Sequence, residues 1–213
     1  MGSPTSEPDR DTDELQHEVV LTHGFFMAEL ECSQAIYQSI TGNNPAAHKG
    51  TNRPVENVTW EDATTFCKLL TAQHQQEGIL PQGWEWRLPT EAQWEYACRA
   101  GTTTARYGEL EATAWYELNS GGSAHPSAER QPNTWGLHDM YGNLGEWCSD
   151  FYDAYPTDTA TNPAGPPTGH YRVLRGMSWY HPGSRCRSAF RYWILPTFKF
   201  NDLGFRPLLS PSQ

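Results

Sequence analysis

The chain has 213 residues, a net charge of −10 and 37% hydrophobic residues, with nine tryptophans and ten tyrosines that supply large buried area per side chain. That length holds one large domain with a core of its own, or two small ones. The acidic balance argues against a nucleic-acid binder, which needs a basic face, and no apolar run reaches the roughly 18 residues of a membrane span.

Taken in chain order, residues 1–16 are polar and acidic and read as a solvated segment, not a signal peptide. "HEVVLTHGFFMAEL" (17–30) alternates enough for one or two strands. "CSQAIYQSITG" reads as a short helix with Ser33 as N-cap and Gly42 as its stop. A loop, "NNPAAHKGTNRPVENVTW", leads to a strong helix in "TWEDATTFCKLLTAQHQQEG". There Thr59 caps, Asp62 completes a capping box, and Ala63, Phe66, Leu69 and Leu70 form the apolar stripe. "RLPTEAQWEYACRAG" repeats the design: Pro89 and Thr90 open it, Gln93 holds the box position, and Trp94, Ala97 and Cys98 face inward. Beyond Gly101 the chain turns rich in Gly, Pro, Asn, Ser and aromatics, with short strand-like pieces such as "HYRVLRGMSW". The expected architecture is a single α+β domain over 1–213, with two or three helices, small antiparallel sheets and much irregular backbone.

Familiar catalytic signatures are absent: no HExxH, P-loop, GxSxG or dinucleotide-binding glycine pattern. The eight histidines are scattered without metal-ligand spacing. Cys32, Cys67, Cys98, Cys148 and Cys186 form no CxxC pair. Buried free thiols are the plain reading; long-range disulfides or a reactive thiol stay open. In "HDMYGNLGEW" (138–147), Asp139 and Glu146 flank a glycine-rich turn. Such a turn can offer oxygens to calcium, or it can be an Asx-type turn with Glu146 in a salt bridge, which composition alone favours. Ser178 sits in a tight turn near His181, with no visible acid to orient the imidazole, so a hydrolase triad is weakly supported.

The segments "MGSPTSEPDRD", "RPVENVTWEDATTFCKLL", "WRLPTEAQWEYACRAGT", "PNTWGLHDMYGNLGEWCSD", "YRVLRGMSW", "CRSAFR" and "LGFR" stand in the order seen in the formylglycine-generating sulfatase-modifying family, which the chain resembles along nearly its whole length. The resemblance implies a variant of the C-type lectin fold. It also implies that the "MGSP" start is native sequence, which in the family follows an N-terminal strand. A structural calcium ion is implied as well, held by the Asp139 side chain, the Gly142 and Leu144 carbonyls and Glu146. Cys98 is placed near Cys186, where some relatives form a disulfide. The family's enzymes use two cysteines and copper to oxidise a substrate cysteine. Here the matching interval, Trp179 to Arg185, contains no cysteine, so no copper is expected.

A non-catalytic group with the same frame, the variable proteins of diversity-generating retroelements, resembles the chain most. Residues 175–206 keep the frame at Arg175, Gly176, Ser178, Trp179, Cys186, Arg187, Ser188, Ala189, Arg191, Gly204, Phe205 and Arg206, while Met177 stands where glycine is usual. Between these positions lie Tyr180, His181, Ser184, Arg185, Phe190, Tyr192, Ile194, Leu195, Phe198 and Phe200, all reachable from an asparagine codon by replacing adenines; Trp193 and Lys199 are not. Tyrosine, phenylalanine, tryptophan and arginine are the residues that make binding hot spots. The resemblance therefore implies a display protein whose ligand-binding residues are these ten together with Trp193. The expected partner is a protein or peptide, with carbohydrate less favoured. A cytoplasmic location is the expectation. Two alternatives stay open: a diverged copper-dependent oxidase using Ser178, His181 and Cys186, and a structural or regulatory paralogue whose rings are simply buried.

Overall fold

The structure, a computed structural model, describes residues 1–212. Its elements run β1 (Val19–Val20), β2 (Phe26–Met27), α1 (Gln34–Thr41), α2 (Trp60–Gln76), β3 (Trp84–Arg87), α3 (Glu91–Arg99), α4 (Leu110–Thr113), β4 (Ala114–Trp115), β5 (Tyr141–Gly142), β6 (Gly145–Phe151), β7 (Ala160–Thr161), β8 (Arg172–Arg175), a 3-10 turn (Gly183–Arg185), β9 (Arg191–Ile194), β10 (Leu203–Gly204) and β11 (Leu208–Pro211). The three expected helices are present, and the single turn α4 adds a fourth. Ser33 accepts from the Ile36 N–H, and Gly42, at φ 75°, ends α1 in the left-handed region that glycine tolerates. Thr59 with Asp62, and Thr90 with Gln93, form complete capping boxes on α2 and α3. The stripe of α2 is Ala63, Phe66, Cys67 and Leu70. Leu69, expected in it, is exposed, because it lies about 100° round the helix from Leu70.

The central sheet has the order β10-β6-β8-β9, antiparallel except for the β10–β6 pair. Strands β2, β11 and β3 form a second, antiparallel sheet, whereas the small β1–β7 and β4–β5 pairs are parallel, contrary to the all-antiparallel expectation. Side chains alternate across the central sheet. Trp147 and Leu174 enter a core with Tyr37, Phe66 and Phe205, while Cys148 and Val173 enter another with Trp94, Ala97 and Met140. Helices α1 and α2 thus close one face and α3 the other.

The irregular C-terminal third is held by buried arginines. Arg175 bridges Glu91 and Glu95 of α3, each at 2.8 Å, and also donates to the Ser188 carbonyl. Arg191 pairs with Glu91 at 2.7 Å, and Arg206 with Glu146 at 2.8 Å. Arg187 reaches Glu7 at 2.6 Å and Glu14 at 2.5 Å. The last pair corrects the expectation for residues 1–16: Ser3 and Glu14 are buried, because the segment wraps back to neutralise Arg187.

Removing one partner of such a pair strands the other charge in the interior, at a cost of about 3–5 kcal/mol. Arg206→Ala, which leaves Glu146 alone, is expected to lower the unfolding free energy by about that much, read from the denaturant midpoint. Asp150 is the opposite case. It accepts from the Glu91 N–H at the start of α3 at 3.0 Å, but burial, and then the Glu91 charge, push its carboxyl up to about 7 from 3.8. A carboxyl with a raised folded-state pKa stabilises fully below its unfolded pKa and loses that contribution as pH rises through the folded value. The contribution of Asp150 is therefore expected to be lost between about pH 4 and pH 7, so the melting temperature of Asp150→Asn should compare best with the parent protein's at the upper end of that window.

Candidate ligand-binding site

Burial divides residues 175–206 almost as the frame does. Arg175, Gly176, Ser178, Trp179, Cys186, Arg187, Ser188, Ala189, Arg191, Gly204, Phe205 and Arg206 are all buried. Tyr180, Ser184, Arg185, Tyr192, Trp193, Leu195, Phe198 and Phe200 are exposed, and His181 and Ile194 are partly so. Phe190 is the exception among the eleven expected ligand-binding residues. It is 4% exposed and packs in the core with Leu174, Met177 and Phe205, so it is removed from the binding set.

Five of the set converge. Tyr180, His181, Tyr192, Ile194 and Phe200 line an open cavity of about 350 Å³, with Leu174, Met177, Trp179, Asn201, Asp202 and Leu203 as the remaining apolar and polar wall. Strand register explains the choice. Tyr192 pairs with Leu174 across the sheet and shares its face, whereas Trp193 pairs with Val173 on the other. Trp193 therefore lies tilted against Tyr171 at 4.4 Å and against Tyr152 at 5.9 Å, outside the cavity. Phe198 and Phe200 meet edge to face at 5.9 Å on the following loop, beside Leu195. Ser184 and Arg185 occupy the exposed 3-10 turn and do not line the cavity. Met177 has φ 59°, which accounts for the glycine usual there; its buried side chain forms part of the cavity wall.

An acid that sequence reasoning missed closes the site. Ser178 Oγ donates to Asp202 Oδ2 at 2.7 Å and lies 2.7 Å from His181 Nδ1. The carboxylate can only accept, so the hydroxyl proton points to Asp202 and the imidazole donates its Nδ1–H to Ser178. Burial lowers the His181 pKa, opposed by Asp202, which suits a neutral donor. The order is the reverse of a nucleophilic triad, in which histidine takes the serine proton. Ser178 is also fully buried. The group is a clamp tying the 178–181 turn to the 201–203 loop.

The turn expected to hold calcium is organised by protein groups. Glu146 accepts from Arg206 Nη2 at 2.8 Å and from Trp94 Nε1 at 2.7 Å, and Asp139 Oδ2 accepts from the Ala128 N–H at 2.8 Å. Asp139 Oδ1 alone lacks a partner. Gly142, at φ 70°, passes so close to Trp115 that a Cβ would collide with its carbonyl. Glu31, unmarked by any motif, accepts from Asn143 Nδ2 at 2.8 Å and the Leu144 N–H at 3.0 Å. Burial, and then its Asp139 and Glu146 neighbours, push the Glu31 carboxyl well up. The Asp139, Gly142, Leu144 and Glu146 set keeps oxygens for the expected calcium ion: Asp139 Oδ1 has no partner, and the Glu146 carboxylate has lone pairs beyond those that Arg206 and Trp94 engage. All five cysteines are free and buried, Cys98 and Cys186 included, and burial pushes the Cys186 thiol up to about 12. Calorimetry with added calcium and with a chelator tests the expected site: a melting temperature raised by calcium and lowered by the chelator supports it, and no change removes it.

Among the described residues, no helix is long and apolar enough to cross a membrane. Residues 2–210 match the sulfatase-modifying factor enzyme 1-like domain. A formylglycine-generating enzyme of Streptomyces coelicolor is 34% identical over 177 residues, 73% of this chain and 52% of that protein, so the chain spans about half the length of that curated relative. Among solved structures, Treponema denticola variable protein 1 superposes with a TM-score of 0.88 at 29% identity, covering 99% of this chain and 93% of that one. PvdO from Pseudomonas aeruginosa, at 23% identity and a TM-score of 0.84 over 99% of this chain and 90% of that one, shares the fold. The chain therefore belongs to the sulfatase-modifying factor enzyme 1-like family and has that family's C-type lectin-like fold.

Proposed function

We propose that this protein is a non-catalytic display protein of the diversity-generating-retroelement type, which binds a protein or other macromolecular ligand through its C-terminal aromatic face. One observation carries the reading: the frame positions are buried throughout, and of the eleven expected contact positions between them all but Phe190 are exposed or partly exposed. A scaffold that varies its contacts without refolding needs that division. Exposed rings set close together on loops also mark an interaction site better than a core. The likeness to Treponema denticola variable protein 1 supports the same reading. Against an oxidase, the interval Trp179–Arg185 has no cysteine, and Cys186 is a buried thiol with no second cysteine in the frame.

Substitution separates scaffold from surface. Tyr180→Ser and Tyr192→Ser are expected to shift stability by no more than about 0.5 kcal/mol, whereas Phe190→Ala should cost about 3–5 kcal/mol. Ligands selected from a displayed protein library should lose binding to the Tyr180→Ser/Tyr192→Ser double variant while that variant keeps its melting temperature. Copper-dependent oxygen consumption with a thiol peptide should stay at the background rate; turnover would return the family's enzymes to first place.

A further inference from the structure

The cavity carries an unanswered carboxylate. Glu14, Glu91, Glu95 and Glu146 each have an arginine partner. Asp202, on the cavity wall, has none. Its nearest cationic group among the described residues is His181 Nδ1 at 3.9 Å, and that ring is held as a neutral donor to Ser178. Asp202 Oδ2 accepts from Ser178, whereas Oδ1 has no protein partner among the described residues and is not sealed from solvent. Around it stand the rings of Trp179, Tyr180, Tyr192 and Phe200, with the apolar side chains of Leu174, Met177 and Ile194.

Resting on the display reading above, we propose that this cavity is a socket for a basic side chain, arginine above all, projecting from the protein ligand. The aliphatic stem would lie against Ile194, Met177 and Leu174. The guanidinium would lie among the ring faces, where a cation is attracted by the π quadrupole, and donate to Asp202 Oδ1 in a charge-assisted bond. A neutral apolar anchor would cover Oδ1 and leave it unpaired, which is costly once water is excluded. An acidic or phosphorylated anchor would meet the Asp202 charge directly. The planar guanidinium suits stacking between rings better than the compact ammonium of lysine.

The full chain can be titrated with Nα-acetyl-arginine N-methylamide and with the citrulline and norleucine analogues. The readout is the NMR signal of the Trp179 indole N–H, which donates to the Asn201 carbonyl at 3.2 Å beside the cavity. The arginine probe is expected to move that signal and to bind at least about fivefold more tightly than citrulline, its neutral near-isostere. Asp202→Asn, which keeps an acceptor for Ser178, should remove the difference without lowering the melting temperature. Citrulline or norleucine binding as tightly as arginine would overturn the cationic socket and leave the display reading standing. No shift from any probe, together with no ligand selected from a protein library, would overturn both.

Discussion

The C-terminal third depends on arginines held in the dry interior. Arg175, Arg187, Arg191 and Arg206 each need a carboxylate, because an unpaired guanidinium there would cost more than the fold can absorb. Those carboxylates come from α3, β6 and the N-terminal segment. Each pair therefore ties a loop with little regular structure to a distant, well-formed element. A buried ion pair adds little net stability over an apolar pair of similar volume. Its effect here is positional: the guanidinium forks accept few geometries, so the loops that follow each arginine leave it in a fixed direction.

That rigidity decides what the aromatic face is able to do. Rings on floppy loops would lose conformational freedom on binding and return little affinity. Here Tyr180 lies inside the turn that the Ser178–Asp202–His181 clamp fixes, and Tyr192 and Ile194 stand on β9, which begins at Arg191. The period of two along β9 then selects Tyr192 and Ile194 for the cavity and sends Trp193 to the far face. Met177, in a left-handed conformation that favours glycine, puts a side chain beneath the rings where the usual residue would leave space.

The same scaffold accommodates catalysis in relatives named as formylglycine-generating enzymes. Here the interval after Ser178 carries tyrosine, histidine and arginine and no cysteine, and the clamp directs the Ser178 proton to a carboxylate. Nucleophilic catalysis by cysteine or serine needs an activated thiolate or a hydroxyl with a base to take its proton. Recognition needs exposed rings on a fixed frame. The face provides the second set of groups.

Much of this was legible in the chain because the interactions are local. The caps at Ser33, Thr59 and Thr90 lie within a few residues of their partners, so spacing alone placed three helices, and the ordered motifs placed the lectin-like fold with its frame at 175–206. Tertiary structure decided what joins residues far apart. Nothing near Arg187 indicates that Glu14, 173 residues earlier, would neutralise it and bury a segment that reads as solvated. Nothing near Ser178 points to Asp202, or near the 139–146 turn to Glu31, since a carboxylate carries no mark of the partner that folding will bring to it. Phe190 and Phe200 are the same residue type in the same aromatic run. Only the path of the backbone, core under one and loop under the other, makes the first a structural ring and the second part of the candidate binding surface.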